Sequence, residues 1–498
     1  MSLLRKWRRR LLAVVLGLSV FPAFEVVCRI AGWGDSAVVA DPFVGFAGIR
    51  PLFARNNADG RYHIAANRRG FFAEDSFLVK KPSNGFRIFV LGGSTVQGRP
   101  YSVETAFTSF LEMALNAAAP KRSWEVVNCG GISYASYRLV PIMDECLNYQ
   151  PDLFIVCSGH NEFLEDITYR DVKNTAAELT TAYRWLTHLN SFRLLSAARA
   201  RVSSTEAGDS SADVIDDARP VAVLPQEVDA LLDHRGGLEA YNRNTLQRDS
   251  VVREFGNNLN RMVQTCKDAG VPVLLLMPPS NLRDCPPFKS EFSDTVDDTD
   301  RQAIVAELRE ATEFIAADEA ETAISLLDDV TARDPQFAFS WYRLGHALIA
   351  ADRNEEARAA FVRARDEDVC PLRMISPLES EMRQVAADTG TPLIEIATLL
   401  EGRMNAGIPG DAVLVDHIHP SFRGHQDIAM AIADWMTESG FVDDVLSDWK
   451  ISAERKFQER LQTLDDLYFL RGQRTLEALR GWTQGRAEGP PLPKTQSP

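Results

Sequence analysis

Short apolar runs recur along the chain and alternate with longer stretches of helical period. Arg87–Leu91, Trp124–Asn128, Asp152–Cys157, Val271–Met277 and Pro392–Ile396 are the strand candidates. Apolar runs of this length, bounded by small or turn-forming residues, read as buried strands. Helical stretches at Glu104–Ala118, Ser136–Leu147 and Asn242–Ala269 separate the first four. The alternation predicts an α/β fold with a parallel five-stranded sheet covered on both faces. In open sheets of this type, sites form outside the carboxyl ends of the strands.

Two excursions interrupt the pattern. The first, at about 165–240, holds a middle rich in Ser, Asp and Ala from Ser203 to Ala218, expected to be disordered. The second, at 293–371, carries Trp341-x-x-Leu344-Gly345 followed by Ala357, Phe361 and Ala364. These match the 34-residue tetratricopeptide pattern, and Phe314, Ala323 and Pro335 keep its register one period earlier. Two helical hairpins, an all-α repeat array, are therefore expected at about 303–370. Two repeats are marginal alone, so they should lean on the α/β core. The core itself is divided between 85–292 and 372–440. Residues 33–84 show little periodicity beyond a turn at Asn67–Phe71. Residues 441–482 read as charged helices, and 483–498 as an unstructured tail.

At the other end, Arg5, Lys6, Arg8, Arg9 and Arg10 precede an apolar run from Leu11 to Phe24 that continues to Trp33 past Glu25 and Arg29. That order marks export. No small-x-small cleavage site follows, so the expectation is an uncleaved single-pass membrane anchor at 11–32. The basic segment 1–10 would then be cytoplasmic and the catalytic part extracytoplasmic, periplasmic or at the cell surface.

Composition narrows the function. The 498 residues are 45% hydrophobic and 25% charged, as in globular proteins. A net charge of −15 argues against nucleic acid as a partner. Seven scattered cysteines form neither a disulfide framework nor a zinc spacing. Cys129 and Cys157, inside apolar runs, read as packed thiols.

The candidate chemistry lies just past each strand. The first strand ends in Gly92-Gly93-Ser94-Thr95, which sets a serine beside a helix N-terminus. It matches neither the P-loop nor the dinucleotide fingerprint, and Val96 stands where the α/β-hydrolase elbow needs glycine. After the second strand comes Asn128-Cys-Gly-Gly-Ile-Ser-Tyr134, after the third Ser158-Gly-His-Asn161-Glu, after the fourth Pro278-Pro-Ser-Asn281, and beyond the fifth Asp416-His417-Ile418-His419-Pro420. A serine hydroxyl needs a base, and histidine suits that task near neutral pH. His419 needs its second nitrogen held by a carboxylate, which Asp416 can supply from three residues away. A developing oxyanion needs fixed donors. Candidates are the Ser94 N–H, an N–H of the second loop and the Asn161 amide.

With these blocks in place, the chain resembles the SGNH (GDSL-like) hydrolase superfamily over about 85–292 and 372–440. The first block is Gly92-Gly93-Ser94-Thr95, with Gly93 where aspartate is frequent. The third is Gly159-His160-Asn161-Glu162 and the fifth Asp416-His417-Ile418-His419-Pro420. The second departs: counting from Asn128, the oxyanion glycine falls on Ser133, with Gly131 as the alternative donor. The resemblance implies a three-layer, flavodoxin-like α/β fold. It also implies hydrolysis or transfer of acyl esters with no metal or organic cofactor.

The expectation is thus a serine esterase acting on short-chain or acetyl esters, with Ser94, His419 and Asp416 catalytic. Asn281 is the candidate for substrate binding, and His160 and Glu162 are read as supporting residues. His417 and His419 have no further ligand cluster, so no metal site is expected. An O-acyltransferase or deacylase working on an envelope glycan would use the same acyl-enzyme. A third reading is a binding scaffold in which the repeats dock a protein partner beside a vestigial core.

Overall fold

The computed structural model describes residues 51–170, 227–234 and 236–486, together with Phe24, Glu25, Val27 and Cys28. The chain divides into two units, Met1–Ile49 with Tyr169–Gln226, and Arg50–Thr168 with Glu227–Pro498. The second unit holds every strand and every helix named below.

Three short strands, β1 (Phe53–Asn56), β2 (Arg61–Ile64) and β3 (Ser76–Leu78), form an antiparallel sheet that the sequence pattern did not announce. They are three or four residues long and carry little apolar alternation, so no period stands out. What fixes them is aromatic packing: Phe53 and Phe77 meet each other, Phe89 and Tyr149 edge-on or tilted, with ring centroids 4.9 to 6.1 Å apart.

The five apolar runs become β4 (Gly85–Gly92), β5 (Ser123–Gly130), β6 (Leu153–Cys157), β7 (Val273–Met277) and β8 (Leu393–Glu395). They pair in parallel in the order β5-β4-β6-β7-β8. The chain leaves β4 toward one side and returns on the other, so β4 sits at the topological switch point. Register does the rest. Gly92 lies level with Gly130 on one side and Cys157 on the other. The segments beginning at Gly93, Gly131 and Ser158 therefore leave the sheet at the same height.

The free edge of β5 is covered by carboxylates. Glu112 accepts from Val126 N at 3.0 Å and Asp75 from Asn128 N at 2.7 Å. Strand amides that could pair with another chain are thereby occupied.

The helices follow as α1 (Phe107–Ala118), α2 (Ser136–Cys146), α3 (Thr245–Asp268), α4 (Asp298–Ala316), α5 (Ala320–Arg333), α6 (Ala338–Ala350), α7 (Asn354–Glu367), α8 (Ser376–Thr389), α9 (Phe422–Glu438), α10 (Trp449–Thr463) and α11 (Asp466–Arg486). On one face, α1, α9 and α10 bury Phe110, Leu115, Ile428, Ile432 and Phe457 against Ile88, Val90, Ile155 and Leu274. On the other, α2, α3 and α8 pack side by side. The first predicted helix begins later than its apolar pattern suggested. Val103–Thr105 is a 3-10 turn, and extended Ala106 separates it from α1.

Helices α4 to α7 form two helical hairpins over 298–367. Gly345 of α6 lies against Phe361 of α7, and a β-carbon there would come within 2.7 Å of the ring. The glycine is thus set by the closeness of two helices. The α6 face bearing Phe339, Tyr342 and His346 meets the chain's own segment 282–296. Tyr342 Oη donates to Arg283 O at 3.0 Å, Phe339 N to Ser290 Oγ at 3.0 Å, and Phe292 stacks on Phe337. Leu282 and Val296 join the hairpin core.

The expected anchor at 11–32, with the extracytoplasmic placement built on it, is corrected. Among the described residues no helix is long and apolar enough to cross a membrane. Of 11–32 only Phe24, Glu25, Val27 and Cys28 are described; the remainder, like the expected disordered stretch 203–218 and the tail beyond Arg486, lies outside the described residues. Helix α11 runs past the predicted start of that tail at 483.

Candidate active site

Ser94 opens a one-turn helix, Ser94–Gln97, directly after β4, with Gly93 as its cap. Its Oγ lies 2.8 Å from His419 Nε2 across 325 residues of sequence. His419 Nδ1 lies 2.6 Å from Asp416 Oδ2. The other oxygen, Asp416 Oδ1, accepts from Ile418 N at 2.9 Å and His419 N at 2.8 Å. The turn Asp416–His419 is thus wound around its own carboxylate and closed by Val415 N donating to His419 O at 2.8 Å. Ser94 is 6% exposed and His419 2%. Burial alone would raise the Asp416 carboxyl. His419, His417 and the amide donors outweigh it and hold the group below its ordinary value.

The two sequence candidates for the second-loop donor separate cleanly. Gly131 N donates to Gly92 O at 2.9 Å and is committed to that pairing. Ser133 has φ 61, a left-handed conformation, and among the described residues its N–H has no acceptor. The strain of a non-glycine residue there is of the kind found at functional loops. Asn161 Nδ2 donates to Tyr134 O at 3.1 Å, which fixes the amide in the same loop and leaves its second N–H. Arg68 and Glu227 hold this loop from behind through Tyr134 Oη, at 2.9 and 2.7 Å.

Asn281 is not where the sequence reading put it. It is 1% exposed, and its amide donates to Asp416 O at 3.0 Å and Asp411 Oδ1 at 2.9 Å, while its N–H donates to His417 O at 2.9 Å. It braces the Asp416–His419 turn and has no face left for a substrate. Its own carbonyl accepts from Arg373 Nη1 at 2.8 Å, which also donates to Cys285 O at 2.6 Å. Arg373 pairs with Asp368, just past α7, whose carboxylate accepts from Phe288 N and Lys289 N. The hairpins are therefore tied to the histidine turn through 281–289. Sequence spacing held no signal for this, because each contact joins a loop to a loop.

Three further histidines, His417, His160 and His425, are buried and pushed toward the neutral form. Burial pushes His417 down to about 4 and His160 well below its ordinary value. His160 Nδ1 accepts from Met374 N at 3.1 Å. His425 Nδ1 accepts from Phe107 N at 3.2 Å, and burial brings it to about 3. Glu162 takes Ser136 N at 3.0 Å, Ser136 Oγ at 2.8 Å and Ser158 Oγ at 3.1 Å, and burial raises it to about 7. Both His160 and Glu162 are thus supports, as their sequence context suggested.

No family model and no curated protein sequence matches the chain. Solved structures similar in part include a protein of the G-D-S-L family from Desulfitobacterium hafniense DCB-2, at 9% identity over 70% of this chain and 98% of that one, TM-score 0.29. Others are Axe2, an acetylxylan esterase from Geobacillus stearothermophilus, at 11% over 72% and 94%, TM-score 0.30, and an α/β hydrolase enzyme from the metagenome of Lake Arreo, at 13% over 74% and 99%, TM-score 0.30. Likenesses at this level carry no activity across to the chain.

Proposed function

We propose that the chain is a serine esterase that cleaves carboxylic esters through an acyl-enzyme. The observation that carries this reading is the continuous relay from Ser94 Oγ to His419 to Asp416, at 2.8 and 2.6 Å. His419 Nε2 takes the Ser94 proton as Oγ attacks the ester carbonyl carbon. Asp416 keeps the opposite N–H in place and stabilises the imidazolium that forms. The oxyanion is received by the Ser94 N–H, the Ser133 N–H and the second N–H of Asn161. Each such donor is worth on the order of 100- to 1000-fold in rate. Collapse expels the alcohol, which takes its proton from His419. Water then enters, gives a proton to His419 and attacks the acyl carbon, and Ser94 is released with the free acid.

The hairpins are read as tetratricopeptide repeats, a reading supported by the Leu344-Gly345 and Phe361 packing. Their α6 face is filled by segment 282–296, so the role assigned to them is to hold the histidine turn. Docking of a protein partner on that face is not retained.

The test is labelling with a fluorophosphonate probe, read by peptide mass, with hydrolysis of p-nitrophenyl acetate alongside. Adduct on Ser94, with turnover lost in Ser94→Ala and His419→Ala, is the expected result. Wild-type rates in either purified variant would falsify the assignment.

A further inference from the structure

Among the described residues the buried arginines are Arg68, Arg87, Arg138, Arg343, Arg365 and Arg373. All but one meet a carboxylate: Arg68 meets Glu227, Arg87 Glu125, Arg138 Glu165, Arg365 Glu379 and Arg373 Asp368. The exception is Arg343 of α6, which is 3% exposed. Its Nε and Nη1 are sealed from solvent and, among the described residues, have no acceptor.

The guanidinium lies over the Phe339 ring, 4.8 Å from its centroid. That face offsets part of the lost hydration but takes none of the in-plane hydrogen bonds. One turn to either side on α6, Ser340 Oγ and His346 Nε2 are likewise sealed and without a partner. Burial brings His346 to about 3, so its ring is neutral and Arg343 is the one positive charge of this row. Phe339 and Tyr342, which flank Arg343 on the helix, are the residues docked on Ser290 and Arg283. The row therefore runs beside the seam between α6 and segment 282–296.

Withdrawing guanidinium N–H groups from water without an acceptor is costly, and buried arginines are ordinarily paired. Carboxylates are not scarce in a chain of net charge −15, yet none meets this group. A water molecule would satisfy an N–H and leave the charge unpaired, whereas an oxyanion answers both needs. The guanidinium has two forks, Nε with Nη2 and Nη1 with Nη2. Nη2 is not among the sealed atoms, so each fork joins one sealed nitrogen to one that is not. An oxyanion entering at Nη2 can thus place its second oxygen on a sealed N–H.

We propose that Arg343, with the Ser340 hydroxyl beside it, binds a small oxyanion, a phosphate or a carboxylate, at the seam between α6 and segment 282–296. The site shares no residue with the Ser94–His419–Asp416 relay and does not depend on the esterase reading.

An anion that binds the folded chain and not the unfolded one raises the denaturation midpoint. Urea midpoints and calorimetric titrations of the full chain are compared in potassium phosphate, acetate and chloride at matched ionic strength and neutral pH. Expected is a saturable rise over chloride in phosphate or in acetate, and the anion that gives it names the class. Arg343→Gln should weaken that binding about 10- to 100-fold, and Ser340→Ala should weaken it less. Arg343→Met keeps the stem over Phe339 and drops the charge, so in chloride it should be no less stable than wild type.

Equal midpoints in all three salts overturn the site. A rise that never saturates does the same, being a general salt effect. Saturable binding of equal strength in Arg343→Gln would place the anion elsewhere. A marked loss of stability in Arg343→Met in chloride would show the guanidinium to be satisfied without an anion, again overturning it. Should Arg343→Gln not fold, Arg343→Lys, which keeps the charge and loses the fork, is titrated instead. Weakened binding there supports the site and unchanged binding removes it.

Discussion

The side-chain amide of Asn161 occupies the space that a β-carbon on Gly93 would need. Such an atom would come within 2.7 Å of Asn161 Nδ2. Gly93 has φ −87 and ψ −156, which other residues adopt freely, so glycine is required here for room and not for backbone freedom. Gly93 and the Asn161 amide are thereby sized to each other.

Gly93→Ala should push the Asn161 amide away from the oxyanion position. The expected loss is about 100- to 1000-fold in kcat, with KM much less affected, since the donor acts on charge present only in the transition state. Steady-state kinetics on p-nitrophenyl acetate checks it. A fall in KM-controlled binding alone would mean that Asn161 serves the ground state.

Asp416→Asn keeps an oxygen for the Ile418 and His419 amides but turns an N–H toward His419 Nδ1 or forces the other tautomer. A drop of about 10⁴-fold in kcat is expected, with Ser94 labelling by a fluorophosphonate slowed in parallel. The fold should persist, so circular dichroism should match the parent.

Removing the brace behind the histidine should separate stability from catalysis. Asn281→Ala leaves the Asp416 carbonyl and the Asp411 carboxylate without the side-chain amide that donates to them, while the backbone N–H to His417 O remains, at a cost of about 1–3 kcal/mol. Because the turn can then drift, kcat should fall by up to about 100-fold. Denaturant melts and kinetics on the same sample measure both. Unchanged kcat with lowered stability would show the turn to be self-supporting.

Glu162 makes stability depend on pH. Burial raises its folded-state value to about 7, above the ordinary carboxylate range. The folded state therefore keeps this proton over a pH range in which the unfolded chain has lost it. The contribution is fully present below the ordinary carboxylate range and is lost as pH rises through about 7. Melting temperatures compared at pH 5 and pH 8 should fall in the wild type and fall less in Glu162→Gln.

Much of the fold is visible in the chain because β6 and β7 are buried on both faces and appear as unbroken apolar runs, and β4 and β5 carry shorter ones. The same reasoning places Ser94, Asn161 and His419 at one rim, since each follows a strand. It fails for β1 to β3, which are held by Phe53 and Phe77 packing on Phe89 and Tyr149 and carry no period of their own. It misassigns Asn281, because a polar residue past a strand looks alike whether it faces a ligand or a neighbouring loop. Comparing Gly131 with Ser133 also needed coordinates, because only they show which N–H the β4 carbonyl takes.

The threading of the hairpins between β7 and β8 bears on the order in which the candidate site is assembled. On the ribosome, Ser94 and the oxyanion loops are complete long before the imidazole exists, and Asn281 waits for Arg373 until all four insert helices have been made. A nascent chain stalled or clipped within the insert would present a nucleophile with no base, inert toward every ester it met. On the proposed reading, competence thus arrives late, when the edge strand β8 and the histidine turn beyond it join the four strands already made.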